Sequence, residues 1–254
     1  MNNMARLGRC LCALLLTSLT AATVQAAVVI HGARVIYPAE QQEVVVRLEN
    51  KGDRPSLVQL WLDNGDKFAT PATARAPFTA LPPVMRIEPG RQQAPRLRYT
   101  GEPLPRDRES LFWLNVLEVQ PNAINAGERN LLELSFRSRL RVYFRPQGLP
   151  YPKGAAAPRL SWKLVPHAGG HALEVLNPTP YHVSLASVEL VGRNGRYPKA
   201  PNQQADDSLL LPAGDIKRFA LPTLRTLPAG ALKVEFTAVS DHGARISHSA
   251  DLTS

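Results

Sequence analysis

Residues 131–146 read LLELSFRSRLRVYFRP, and apolar and polar positions alternate along them. Leu132, Leu134, Phe136, Leu140 and Val142 share one parity, broken only by Ser138. Glu133, Ser135, Arg137, Arg139 and Arg141 hold the other. A period of two predicts one long strand with an oily face and a mostly cationic face. The same period recurs upstream. Val44, Val46 and Leu48 share a face within 43–49, and Val58, Leu60 and Leu62 do so within 56–62. Segments 28–37, 84–87 and 93–99 read as further strands. Segment 111–119 is largely apolar on both faces, which predicts a buried central strand. Turn signals at Asn64-Gly65-Asp66, Pro82-Pro83 and Pro89-Gly90 separate these runs, and 121–130 is a polar loop.

Residues 146–158 (PQGLPYPKGAAAP) are dense in proline, glycine and alanine and form the candidate linker. A second β-pattern follows, over 160–165, 172–176, 182–190, 209–211, 218–221, 231–239 and 244–252. Asn177-Pro178-Thr179-Pro180 is a rigid turn between two of these runs. No long stretch carries a helical period. Proline outnumbers glycine, 23 to 16, which suits corners and sheet edges better than long helices. The expectation is an all-β chain of two immunoglobulin-like β-sandwich domains, 27–148 and 149–254.

The first 26 residues read as a secretory signal. Arg6 and Arg9 precede an apolar run over 10–22, which is short for a bilayer span, and Val24-Gln25-Ala26 is a small-residue cleavage pattern. Both cysteines, Cys10 and Cys12, lie in that segment. The mature chain therefore holds no disulfide, although it enters an oxidising compartment. The formal net charge is +9, and removing Arg6 and Arg9 with no acidic residue leaves +7. No block of basic residues interleaved with aromatics is present, which argues against nucleic acid as a partner. Stable membrane insertion is likewise not expected.

Catalytic signatures are missing. There is no G-x-S-x-G, no glycine-rich phosphate loop and no H-E-x-x-H. His167 and His171 flank Gly169-Gly170, which reads as a turn and not a metal-binding helix. His31, His182, His242 and His248 read as surface residues in or beside strands. Trp61, Trp113 and Trp162 are dispersed in strand patterns and read as core. The carboxylates of Asp107, Glu109, Asp206 and Asp207 read as loop charges. No enzyme activity, metal or cofactor is expected.

Several segments together carry a resemblance. They are GARVIY (32–37), PPVMRIEPG (82–90), PRDRESLFWLN (105–115), RLRVYFRP (139–146) and NPTPY (177–181). In order and spacing they resemble the periplasmic chaperones of the chaperone–usher fimbrial pathway, over nearly all of the mature chain. The resemblance implies two immunoglobulin-like domains in a boomerang. It implies a partner, a fimbrial subunit lacking its last strand, which the chaperone completes by donating its own strand. It also implies delivery to an outer-membrane usher. Arg34 and Arg141 then become the pair that binds the subunit's C-terminal carboxylate. The family usually has lysine at the second position, and arginine keeps the charge while adding a bidentate fork. Leu132, Leu134 and Phe136 become the donated apolar row. Glu109, Arg145 and Asp241 become a structural charge cluster between domains. The short, cysteine-free loop before the long strand is similar to the short-loop class. A free chain with this exposed edge could cap itself by dimerising. The alternative reading is a structural or adhesive immunoglobulin-like pilus component, which would normally carry a donor extension ahead of an incomplete sandwich.

Overall fold

The computed structural model describes residues 27–119, 135–167, 170–193, 195–201 and 209–253. The expected signal segment, together with Leu132, Leu134, Asp206 and Asp207, lies outside these described residues. Strand makes up 54% and helix 3% of the described residues, so the fold is all-β as expected.

The first domain contains β1 (Val28–His31), β2 (Arg34–Pro38), β3 (Glu43–Val45), β4 (Arg47–Asn50), β5 (Ser56–Asp63) and β6 (Phe78–Leu81). It continues with β7 (Val84–Ile87), β8 (Gln92–Gln93), β9 (Arg96–Tyr99), β10 (Ser110–Val119) and β11 (Ser135–Arg145). A five-stranded sheet runs in the order β2-β11-β10-β5-β7, and two three-stranded sheets run β1-β4-β8 and β3-β9-β6. Val35, Leu60, Leu114, Val142 and Phe144 of the large sheet share one core with Leu48, Phe78 and Leu97 of the smaller sheets. Each such side chain contributes about 1.5–3 kcal/mol on full burial. The run expected to be a central strand is β10, held between β11 and β5.

Two expected strands are divided. Segment 28–37 splits at Gly32, whose φ of +112° only glycine adopts cheaply. The turn lets β1 pair antiparallel with β4 while β2 crosses to pair parallel with β11. Segment 43–49 splits at Val46, whose N–H donates to the Pro95 carbonyl. Apolar parity survives the break at Val46 but switches across Gly32, from Val28 and Ile30 to Val35 and Tyr37. Periodicity shows the strands but not the sheet each half joins.

The second domain contains β12 (Ser161–His167), β13 (Gly170–Leu176), β14 (Val183–Gly192) and β15 (Gly195–Pro198). After these come β16 (Leu210–Leu211), β17 (Ile216–Leu221), β18 (Lys233–Val239) and β19 (Arg245–Asp251). One sheet is β12-β13-β17, and the other runs β15-β14-β18-β19 with β16 also on β14. Trp162, Leu173, Leu190, Phe219 and Phe236 are among its core residues. Strand β15, only four residues long, has no clear signal in the sequence. His167 and His171 lie on paired strands of a hairpin. The proline-rich connection contains two 3-10 turns, Lys153–Ala155 and Ala157–Arg159. Ala156, Ala157 and Leu160 belong to the second core, so the end of the candidate linker is packed, not free.

The turn at 177–181 is built around one amide. Asn177 is fully buried, and its Nδ2 donates to the carbonyls of Tyr181 (2.8 Å), Leu211 (3.1 Å) and Pro212 (2.9 Å). Its Oδ1 accepts from the Thr179 hydroxyl at 2.7 Å. Asn177→Ala leaves buried carbonyls unmet and should cost about 3 kcal/mol. Asn177→Asp, which cannot donate, should cost as much in a denaturant titration. A near-neutral Asp variant would show that donation is not what holds the turn.

Candidate functional site

Strand β11 is paired unequally on its two sides. Strand β10 accompanies it from Ser135 opposite Val119 to Ser110 opposite Phe144. Strand β2 pairs only with Arg141 to Arg145 on the other side. Among the described residues, no strand pairs with that second side from Ser135 to Leu140. Such an edge presents backbone donors and acceptors to any extended chain. Phe136 is half-buried on it, while Leu140 and Val142 are core residues.

The edge ends at two arginines. Arg34 and Arg141 are register partners in the parallel β2–β11 ladder, and both are partly buried. Tyr143 follows on the same face, with its hydroxyl 3.5 Å from Ser184 Oγ of the second domain. Burial pushes the Tyr143 hydroxyl above its ordinary pKa, against the Ser184 hydrogen bond and the charges of Arg141 and Arg34. The two arginines therefore act on a group that touches both domains. Lys153 lies near this junction, its ammonium 5.7 Å from the Tyr181 ring centre. Burial pulls its pKa down, opposed by the charges of Glu109 and Asp241.

At the far end of β11, Arg145 joins the domains. Its Nε donates to Glu109 Oε1 at 2.7 Å and its Nη1 to Asp241 Oδ2 at 2.8 Å. Glu109 also accepts the His182 N–H at 2.8 Å through Oε2, and its own N–H donates to the Pro180 carbonyl at 2.8 Å. Asp241 is presented by a turn in which Gly243 takes φ +83°. Burial works against the Arg145 charge, yet its bonds to Asp241 and Glu109 hold its pKa above the ordinary value. The guanidinium also lies 5.4 Å from the Tyr181 ring centre.

Two sequence expectations need correction here. His182 is buried, 8% exposed, at the junction instead of on the surface. It follows the buried 177–181 turn, and nothing in its own local pattern marks this. Trp162 is core, but Trp61 and Trp113 are buried on the opposite face of the large sheet, outside the first core. Arginines cover them instead of aliphatic groups. Arg137 stacks 4.9 Å over Trp61, while Arg139 and Arg141 lie 4.6 and 5.4 Å from Trp113. Asp63 and Asn115, both fully buried, tie this layer down. Asp63 accepts from Arg139 and Asn115, each at 2.7 Å, and Asn115 accepts from Arg137 Nη2 at 2.7 Å. The usable signal was parity: Trp61 and Asp63, like Trp113 and Asn115, share a face with each other and not with the core residues.

Among the described residues, no group of three His, Cys, Asp or Glu could hold a metal ion, and no helix is long and apolar enough to cross a membrane.

Two sandwiches joined through buried charge, with one strand edge open beside paired arginines, define a strand-pairing protein rather than one built around an enclosed pocket. Comparison gives the family. Residues 27–150 match the pili and flagellar-assembly chaperone PapD N-terminal domain, and 155–250 match the pili assembly chaperone PapD C-terminal domain. The chain belongs to the pili assembly chaperone family. It is 43% identical over 228 residues to the probable fimbrial chaperone YadV of Escherichia coli strain K12, covering 89% of each chain. It is 40% identical over 236 residues to the chaperone protein FimB/FhaD of Bordetella pertussis, covering 91% of this chain and 90% of that one. Its fold is similar to the YadV chaperone crystal structure, with TM-score 0.73 and 40% identity over 89% of this chain and all of that one. It is also similar, with TM-score 0.71 and 28% identity, to a chain in the structure of Salmonella enterica SafA pilin in complex with the SafB chaperone, covering 91% and 99%.

Removing Arg145 strands Glu109 as a buried charge. Arg145→Met should lower stability by about 3 kcal/mol, read as a fall of roughly 10 °C in Tm. An unchanged Tm would show that the three groups contribute no net stability. A second expectation concerns pH. A depressed Lys153 pKa means the unfolded chain binds the proton more readily, so stability rises with pH between the folded value and 10.5. The stability difference between Lys153→Met and wild type should change in the wild type's favour across that window. A constant difference would show that Lys153 carries no penalty when charged.

Proposed function

We propose that this chain is a periplasmic chaperone, exported by residues 1–26, that binds fimbrial subunits by lending them a strand and passes them to an outer-membrane usher. The open side of β11 from Ser135 to Leu140 carries this reading. A subunit that lacks a strand exposes an oily groove and an unpaired edge, and both aggregate. Strand β11 offers backbone hydrogen bonds along its free side, and Leu132, Leu134 and Phe136 supply the row that fills the groove. Family membership and the pilin-bound SafB relative support a pilin as the occupant.

Arg34 and Arg141 bind the subunit's terminal carboxylate where the open edge meets β2. A charge fixed at one end sets the register of the incoming strand, and a slip of one residue would turn the oily row away from the groove. Glu109, Arg145 and Asp241 hold the second domain in place and do not contact the subunit. No reaction is catalysed and no cofactor takes part. The alternative, a structural pilus component, gains no support from the family match.

The test is co-expression of the mature chain with an exported fimbrial subunit from its own operon, followed by pull-down. Wild type should yield a soluble one-to-one complex, and folded Arg34→Ala and Arg141→Ala variants should lose it. Equal recovery with all three proteins removes the carboxylate role. No complex with any neighbouring subunit removes the chaperone reading.

A further inference from the structure

Trp113 occupies a specific place relative to the two arginines at the end of the open edge. In the β10–β11 ladder it lies directly opposite Arg141, and in the β10–β5 ladder it lies opposite Asp63. It is only 8% exposed, and the guanidinium of Arg141 is 5.4 Å from its ring centre. Arg139 lies on the same indole at 4.6 Å. Two guanidinium ions on one ring repel each other. Asp63 relieves this, because its fully buried carboxylate holds Arg139 at 2.7 Å and its other oxygen is fixed by Asn115 at 2.7 Å.

We propose that Trp113 is a positioning residue for the carboxylate anchor: its ring sets the plane of the Arg141 guanidinium, and Asp63 secures that ring through Arg139. This deepens the carboxylate reading of Arg34 and Arg141 and rests on it. The argument is geometric. A guanidinium grips a carboxylate with two parallel N–H bonds only when its plane is correctly turned. An aromatic ring beside the guanidinium restricts that turn. Asp63 also neutralises Arg139, so Arg139 does not compete with the anchor for an incoming carboxylate. A lysine at position 141 would present a point charge with no plane to orient, so the shelf matters because this chain has arginine there.

The experiment uses the mature chain and two synthetic peptides that copy the C-terminal strand of the operon's fimbrial subunit. One peptide ends in a free carboxylate and the other in an amide. Calorimetry gives each affinity, and the acid-to-amide ratio isolates the carboxylate contact from strand pairing and from general stability. Trp113→Leu, and Trp113→Phe as the smaller change that preserves folding, should lower this ratio, with Leu losing about fivefold. Affinity for the amide peptide should stay within about twofold of wild type, since strand pairing is untouched. In an Arg141→Lys background the same Trp113 changes should leave the ratio within about twofold, because the ammonium has no plane to lose. A wild-type acid preference that folded Trp113 variants retain overturns this inference and leaves the anchor standing. A wild type with no acid preference overturns both. Equal loss in the wild-type and Arg141→Lys backgrounds also overturns it, since that would be a general structural effect.

Discussion

Everything in this molecule depends on the register of β11 against β10. Leu140, Val142 and Phe144 face the core, so Arg137, Arg139, Arg141, Tyr143 and Arg145 must face the other way. A shift of one residue would bury five polar or charged groups and expose the core row. The apolar contacts therefore fix, at no separate cost, where every basic group of the strand stands. They also fix the point at which β2 stops pairing, beyond which Ser135 to Leu140 have no strand on that side among the described residues.

The second domain is attached at the end of that same strand. Arg145 reaches Glu109 within its own domain and Asp241 in the other. The backbone bond from Glu109 to Pro180 and the bond from His182 to Glu109 add uncharged and half-charged ties. A buried ion pair by itself contributes little net stability, because desolvating the charges offsets their attraction. Its value here is directional. Each charge has partners in fixed places, so one relative placement of the domains satisfies all of them.

Much of this was legible in the chain. The alternation from 131 to 146, the proline-rich connection at 146–158 and the repeated strand runs are enough for two all-β domains, because period and punctuation are local properties. Pairing is not local. Segment 28–37 reads as one strand, although its halves join different sheets and the inward-facing parity switches at Gly32, from Val28 and Ile30 to Val35 and Tyr37. His182 read as a surface residue because burial between domains depends on a loop 73 positions away in sequence. Trp61 and Trp113 read as core because large aromatics usually are. Their cover by arginine comes from β11 lying beside β10 and, across it, β5. Leu132 and Leu134, two of the three residues expected to fill a subunit's groove, lie outside the described residues.

Glu109 grips the second domain at two points, through its backbone N–H and through its carboxylate. The Pro180 carbonyl and the His182 amide that receive these grips flank Tyr181, which rests against Arg145. A joint pinned at one point can swivel, but one pinned at neighbouring points resists torque. A pull applied to β11 would accordingly be carried into the second sandwich as a load on the whole turn, not as rotation about a single bond. In mechanical terms the second domain is bolted on at neighbouring points, not hung from one.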